Sequence, residues 1–98
     1  MDRDARGKKK AWKLEQQKRA QSAFPMPDLD LERFFDHLDR EIAENGCDHT
    51  HRKTSAWAES NGISKELLID WVCENGGYCD CEVLANAYDH FVQNRRYT

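Results

Sequence analysis

The most regular feature of the chain is a stripe of large apolar residues that follows a pair of prolines. Its members recur every three or four positions, which is the spacing of one face of an α-helix. Asp28 or Asp30 is suited to cap the first turn of this helix, and Asn45-Gly46 can adopt the left-handed backbone that ends it. The stripe consists of Leu31, Phe34, Phe35, Leu38 and Ile42.

Three more segments show helical spacing. The first covers about residues 50–60, the second follows the capping residue Ser64, and the third follows Asp80, which is also suited to cap a helix. Asn61-Gly62 and residues 75–77 supply the stops between them. The residues expected to be buried are Thr54, Trp57 and Ala58 in the first segment, Leu67, Leu68, Trp71 and Val72 in the second, and Val83, Leu84, Ala87, Tyr88, Phe91 and Val92 in the third.

The residues before the prolines have a different character. They are mostly good helix formers, and only Trp12 and Leu14 are sizeable apolar groups, so the pattern predicts a marginal helix. Residues 24–27, Phe-Pro-Met-Pro, interrupt it because proline lacks the backbone donor that a helix requires. We therefore predict a basic, marginally ordered arm at residues 1–23 and a domain at residues 24–98. The fold class is all-α, a small bundle of four to five helices.

Charge divides the chain in the same way. Residues 1–22 carry eight Lys or Arg against three acids, whereas the remaining residues carry seven against fifteen. A basic arm can pair with nucleic acid, with an acidic protein or with the acidic body of its own chain, and composition does not choose among them. Charged chain termini are generally solvated, so we favour a solvated arm.

Length and composition exclude several classes of protein. Ninety-eight residues suffice for one core, and no apolar run exceeds three residues, which argues against a transmembrane helix or a signal peptide. We expect a cytoplasmic location. In that compartment four cysteines are better interpreted as metal ligands, core thiols or reactive thiols than as disulfides.

Two short motifs carry the candidate chemistry. Each follows a glycine stop and opens the next helix, and we call Cys47-Asp48-His49 the first knuckle and Cys79-Asp80-Cys81 the second knuckle. Structural Zn²⁺ takes four Cys or His ligands in a tetrahedron, commonly as two short pairs. The helices between the knuckles would bring both to one end of the bundle. We therefore predict Zn²⁺ ligands at Cys47, His49, Cys79 and Cys81, with Asp48 and Asp80 capping helices or orienting His49.

Other interpretations of these residues remain open. The thiols can be buried structural groups, or Cys79 and Cys81 can cycle between reduced and oxidised forms in a redox or sensor protein. His51 is a substitute ligand, although a position in the first helical turn favours exposure to solvent. The other candidates are expected outside the site: His37 and His90 at the surface, and Cys73 at the edge of the core.

No catalytic motif is recognisable, so we assign no enzymatic activity. The sequence has no phosphate-binding glycine loop, nucleophile elbow or triad-like set, and catalysis would have to use the Cys and His cluster. Residues 58–71 have the layout of a DNA-binding helix-turn-helix. The would-be recognition helix exposes Glu66, Asp70 and Glu74 against Lys65, which opposes phosphate contact. We interpret it as an ordinary helical hairpin.

The motifs also carry a family resemblance. The Cys-Asp-His-Thr at residues 47–50, and the Asn-Gly-Gly-Tyr-Cys-Asp-Cys-Glu-Val-Leu-Ala-Asn at residues 75–86, resemble the small bacterial family called domain of unknown function 2695. The resemblance covers about residues 24–90 and includes Phe-Phe-Asp-His-Leu-Asp at residues 34–39. It implies no activity, but it implies that the two motifs form one unit. His51 departs from the aliphatic residue expected there, so His49 is the motif's histidine.

Together these observations predict a small cytosolic helical module with a structural zinc site and a role in protein interaction. Nucleic-acid binding through residues 1–22 and a thiol-based redox role are the alternatives. Four protein ligands leave no open position on the metal, so we do not expect hydrolytic chemistry. We expect removal of the metal to unfold the domain.

Overall fold

The structure is a computed structural model that describes residues 14–95, and within this range it contains helices and no strand. We number the helices in chain order. They are α1 (residues 14–22), α2 (Asp28–Asn45), α3 (Arg52–Ser60), α4 (Lys65–Glu74), α5 (Asp80–Glu82) and α6 (Tyr88–Asn94). A π-helical segment, Val83–Ala87, joins α5 to α6 without a break. The predicted all-α bundle is confirmed.

Helix α2 provides the centre of the core. The four residues of its apolar stripe before Ile42 are at most 2 % exposed, and Phe34 packs against Trp57 of α3 with ring centroids 5.1 Å apart. Gly46 ends the helix with φ 72°, and its N–H donates to the carbonyl of Ile42 at 2.8 Å. The predicted stripe and stop are therefore confirmed. The N-cap position was predicted at Asp28 or Asp30 but is taken by Pro27, which makes no side-chain capping bond.

Helices α3 and α4 form the hairpin opposite α2. The predicted buried residues of α3 are confirmed, although the helix begins at Arg52 rather than near residue 50. Ser64 caps α4 as predicted, since its Oγ accepts a hydrogen bond from the N–H of Leu67 at 3.3 Å. Leu67 itself is 62 % exposed, so its predicted burial is wrong. It lies about 100° around the helix from Leu68, which takes the inward position.

The C-terminal helix buries Val83, Ala87 and Phe91, which are spaced four residues apart. The π-helical segment keeps these three side chains on one face of the helix. In it the N–H of Tyr88 donates to the carbonyl of Val83, five residues earlier. Tyr88 is 42 % exposed, so its predicted burial is wrong, while Leu84 and Val92 are partly buried against the core.

The segment between α1 and α2 packs onto the bundle. Phe24 contacts Trp71 edge-on at 5.7 Å, and Met26 is buried. Helix α1 contacts the end of α6, because the side-chain amides of Gln17 and Gln21 donate to the carbonyls of residues 93 and 94. The predicted break at residues 24–27 is confirmed, whereas the division into arm and domain stays a prediction. Trp12 and six of the eight basic residues in the first 22 positions lie outside the described range.

None of the described helices is long and apolar enough to cross a membrane.

Candidate metal centre

The two knuckles meet at one end of the bundle. The Sγ atoms of Cys47, Cys79 and Cys81 and a ring nitrogen of His49 all lie within 4.8 Å of one another, and we call these four residues the donor group. Ligand atoms around a tetrahedral Zn²⁺ are about 3.5 to 3.8 Å apart, given metal–ligand bonds of about 2.0 to 2.3 Å. The donor group is therefore close to the spacing that such an ion requires. The predicted convergence of these four residues is confirmed.

The first knuckle is a tight loop between α2 and α3. Within the described range, His49 is the non-glycine residue with positive φ, at 65°. For a residue with a side chain this left-handed backbone conformation costs about 1–2 kcal/mol. The N–H of His49 donates to Cys47 Sγ at 3.3 Å. The side chain of Asp48 accepts from the N–H and the hydroxyl of Thr50, at 3.2 and 2.6 Å. These bonds lie within the loop, and Cys47 and His49 both contribute to the donor group.

The second knuckle forms the start of helix α5, with Cys79 at the N-cap position. Cys79 has extended backbone, with φ −151° and ψ 170°, and Cys81 lies in the first turn of the helix that follows. Their sulfur atoms are 3.2 Å apart, and neither forms a disulfide. Cys79 is buried, Cys47 and Cys81 are half-buried and His49 is exposed. The donor group therefore extends from the core to the protein surface.

Asp80, between the two cysteines of the second knuckle, is fully buried. Its carboxylate accepts hydrogen bonds from the N–H of Lys53 (2.9 Å), the N–H of Thr54 (3.1 Å) and the hydroxyl of Thr54 (2.7 Å). Its own N–H donates to the carbonyl of Thr50 at 2.9 Å. Asp80 was predicted to cap α5, but it caps the first turn of α3 instead. Sequence reasoning misplaced Asp80 because its partners are 26 and 27 residues away.

Neither aspartate orients His49, since both carboxylates take other partners. A second contact between the knuckles comes from His51, whose Nε2 lies 2.7 Å from the carbonyl oxygen of Gly77 and 3.9 Å from Cys73 Sγ. His51 is half-buried, so the predicted exposure to solvent is wrong, and it lies outside the donor group. His49, and not His51, is the histidine that lies close to the three cysteines.

The remaining predicted residues lie away from the donor group. Cys73 is half-buried at the edge of the core, as predicted, and burial together with the charge of Asp70 raises the pKa of its thiol. His37 and His90 are also half-buried rather than fully exposed. His90 contacts the rings of Phe24 and Trp71, and burial lowers its pKa.

The three thiols of the donor group influence one another. Burial raises the pKa of Cys47, but hydrogen bonds from the backbone N–H groups of His49 and Cys81 and from the side chains of Cys81 and Cys79 together outweigh it, and the pKa is lowered overall. Hydrogen bonding to Cys79 and then to Cys47, together with burial, raises the pKa of Cys81 to about 12. Of these two thiols, Cys47 is therefore the more easily ionised. Cysteine binds a metal as the thiolate, so binding of a cation would release thiol protons.

The fold and the site define a small all-α domain in which a Cys-x-His and a Cys-x-Cys motif converge. The chain belongs to the family described as protein of unknown function (DUF2695), whose model matches residues 34–86. The predicted resemblance is confirmed, and the matched segment includes both knuckles and begins ten residues later than we predicted.

Two curated relatives, an uncharacterised protein of Mycobacterium bovis and an uncharacterised protein of Mycobacterium tuberculosis, are each similar to this chain. Each is 45 % identical over 56 residues, which is 57 % of this chain and 57 % of the relative. The chain thus spans a little over half the length of these relatives. No solved structure matches the chain.

Proposed function

We propose that this chain is a helical module that binds one structural Zn²⁺ through Cys47, His49, Cys79 and Cys81. The observation that carries the proposal is the convergence of four donor atoms within 4.8 Å. They come from two segments, and twenty-nine residues separate His49 from Cys79. A fold that brings three thiols and an imidazole together at one end supplies the set of ligands that structural zinc prefers.

The chemistry of the donors favours zinc over harder cations. Ca²⁺ and Mg²⁺ take oxygen ligands, whereas thiolates and imidazole suit Zn²⁺. The two carboxylates in the knuckles, Asp48 and Asp80, are hydrogen-bonded elsewhere. The His49 backbone supports the same conclusion, because strained residues cluster where a ligand or a function holds them in place.

A structural role follows from the number of ligands. Four protein donors complete a tetrahedron and leave no position for water or substrate, so we infer that the metal supports the fold rather than hydrolysis. An interaction with a protein partner belongs to the same proposal. Its support is Tyr78, which is 66 % exposed directly before the second knuckle, since exposed aromatic residues are enriched at protein interfaces.

A redox role is the second candidate, because the Sγ atoms of Cys79 and Cys81 are 3.2 Å apart. The thiolate is the reactive form of cysteine, and a thiol with a pKa near 12, as at Cys81, is a weak nucleophile. Without a cation Cys81 is therefore poorly suited to attack a disulfide, and we rank this function below zinc binding.

The proposal is tested by the metal content of untagged protein purified without chelator. We expect about one zinc per chain in the wild type and none in the Cys79→Ser, Cys81→Ser double variant. Cys73→Ser is the matched control, since this cysteine lies outside the donor group, and it should retain the metal. A well-folded wild type that contains no metal, and takes up none when Zn²⁺ is added, would refute the proposal.

A further inference from the structure

The two knuckles are joined by contacts that do not involve a metal. Asp80 of the second knuckle donates its N–H to the carbonyl of Thr50, the residue after His49. Its carboxylate binds the first turn of α3 through Lys53 and Thr54. These four hydrogen bonds lie between the segments that carry the donor group, so they fix one segment against the other.

The position of the Asp80 side chain is narrowly defined. A carboxylate excluded from water is strongly destabilised unless donors surround it, and this one accepts three hydrogen bonds at 2.7 to 3.1 Å. Two of the donors are backbone N–H groups at the start of α3, where the helix dipole also favours negative charge. Movement of Asp80 would leave these groups unpaired. Because Cys79 and Cys81 flank Asp80 in sequence, their Cα atoms are held with it.

We propose that Asp80 is a positioning residue for the metal, in that its buried carboxylate holds the second knuckle against the first and so keeps the four donors at the spacing that the ion requires. This inference rests on the proposed zinc site. It assigns to Asp80 a role different from that of Asp48, the equivalent residue of the first knuckle. Asp48 is exposed and hydrogen-bonds within its own loop.

The test compares Zn²⁺ affinity, measured by competition with a chromophoric chelator, in wild type, Asp80→Asn and Asp48→Asn. Asparagine keeps the size of aspartate, but its NH₂ group faces a backbone N–H and cannot accept from it. We expect Asp80→Asn to weaken Zn²⁺ binding by about 10- to 100-fold, the range seen when groups that support metal ligands are removed. Asp48→Asn should bind with wild-type affinity.

Two further variants distinguish positioning from a general loss of stability. Thr54→Val removes one of the three bonds to Asp80 while preserving the shape of the side chain, and it should weaken binding less than Asp80→Asn. Phe91→Leu destabilises the core away from the knuckles, and because zinc binding is coupled to folding it should weaken binding, but less than Asp80→Asn does. The absorption spectrum of the Co²⁺-loaded protein reports the ligand geometry directly. It should change in Asp80→Asn and remain that of wild type in Phe91→Leu.

Wild-type affinity and a wild-type Co²⁺ spectrum in both Asp80→Asn and Thr54→Val would overturn the inference. So would an equal loss of affinity in Phe91→Leu, because the effect would then follow stability alone. If Asp80→Asn does not fold, the comparison of Thr54→Val with Phe91→Leu decides in the same way. A wild type that binds no Zn²⁺ would instead refute the proposed function itself, so the two failures are distinguishable.

Discussion

The hydroxyl of Thr54 donates to the carboxylate of Asp80 at 2.7 Å, and both residues are fully buried. This bond links α3 to the second knuckle across 26 residues of sequence. A buried acceptor that loses a partner is destabilised more than an exposed one, because no water replaces the bond. The pair therefore contributes to stability as well as to the arrangement of the knuckles.

We expect Thr54→Val to lower the free energy of unfolding by about 1–3 kcal/mol, because it leaves the Asp80 carboxylate one donor short. The measurement is urea unfolding of the zinc-loaded protein. Thr50→Val is the control, since its hydroxyl bonds to the exposed Asp48, and it should cost less. Equal effects of the two substitutions would contradict the importance assigned to burial.

Removal of the metal should unfold the domain. Zinc binding in small modules contributes about 10–16 kcal/mol, which is comparable to the whole stability of a domain at about 5–15 kcal/mol. We expect a strong chelator to abolish most of the helical circular dichroism, and added Zn²⁺ to restore it. An unchanged spectrum after prolonged chelation would show that the core is stable without the ion.

His49→Asn should remove the imidazole donor while keeping a residue that tolerates positive φ. We expect the zinc content after dialysis to fall well below one per chain, with the helical content of the zinc-saturated protein unchanged. His37→Asn provides the comparison, since His37 is outside the donor group. Full zinc occupancy in His49→Asn would exclude His49 as a ligand.

Thiol modification separates the zinc site from the redox candidate. In the zinc-loaded protein we expect slow modification of all four cysteines, because three are held by the metal and burial raises the pKa of Cys73. Chelation should release the three thiols of the donor group and, because we expect the domain to unfold, expose Cys73 as well, so that four reactive thiols per chain are counted with a chromogenic disulfide reagent. Rapid modification of Cys79 and Cys81 before chelation would favour the redox function.

Stability should depend on pH through His90. Burial lowers its pKa, so the folded protein binds this proton less tightly than the unfolded chain, whose His titrates near pH 6.5. The contribution of neutral His90 is therefore complete above about pH 6.5 and is lost as the pH falls from there toward the lowered pKa of the folded state. Zinc release adds its own acid sensitivity, so the informative quantity is the difference between wild type and His90→Gln. The urea midpoint of the variant should vary less with pH, and an identical slope would contradict the assignment.

The sequence predicted the parts of this molecule that depend on local spacing. The stripe of α2, the stops at Gly46 and Gly62 and the grouping of the knuckles follow from patterns within a few residues. The partner of Asp80 could not be predicted in this way, since any aspartate at the start of a helix is suited to cap that helix. Its true donors are brought to it by the packing of α3.

The errors in the predicted core have a similar cause. Leu67 and Tyr88 fit the helical period, yet each is exposed, because the period does not say how wide the covered face is. The His51 contact with Gly77 depends on the approach of two loops, which no local pattern encodes. The π-helical segment was also unpredicted, since the residues Val83–Ala87 are compatible with an ordinary α-helix.

That π-helical segment sets the rotational phase between the two ends of the C-terminal helix. Side chains four apart in an α-helix drift by about 40°, so a long series at this spacing gradually leaves the core. The wider π turn rotates less per residue and reverses part of that drift, which lets Val83 and Phe91 both face inward. Deleting one residue there, such as the exposed Ala85, would place Val83 and Phe91 seven steps apart, about 700° of regular α-helix, and the two would still share one face. The π turn therefore accommodates one more residue between the cysteine end and the aromatic end than a regular α-helix would need.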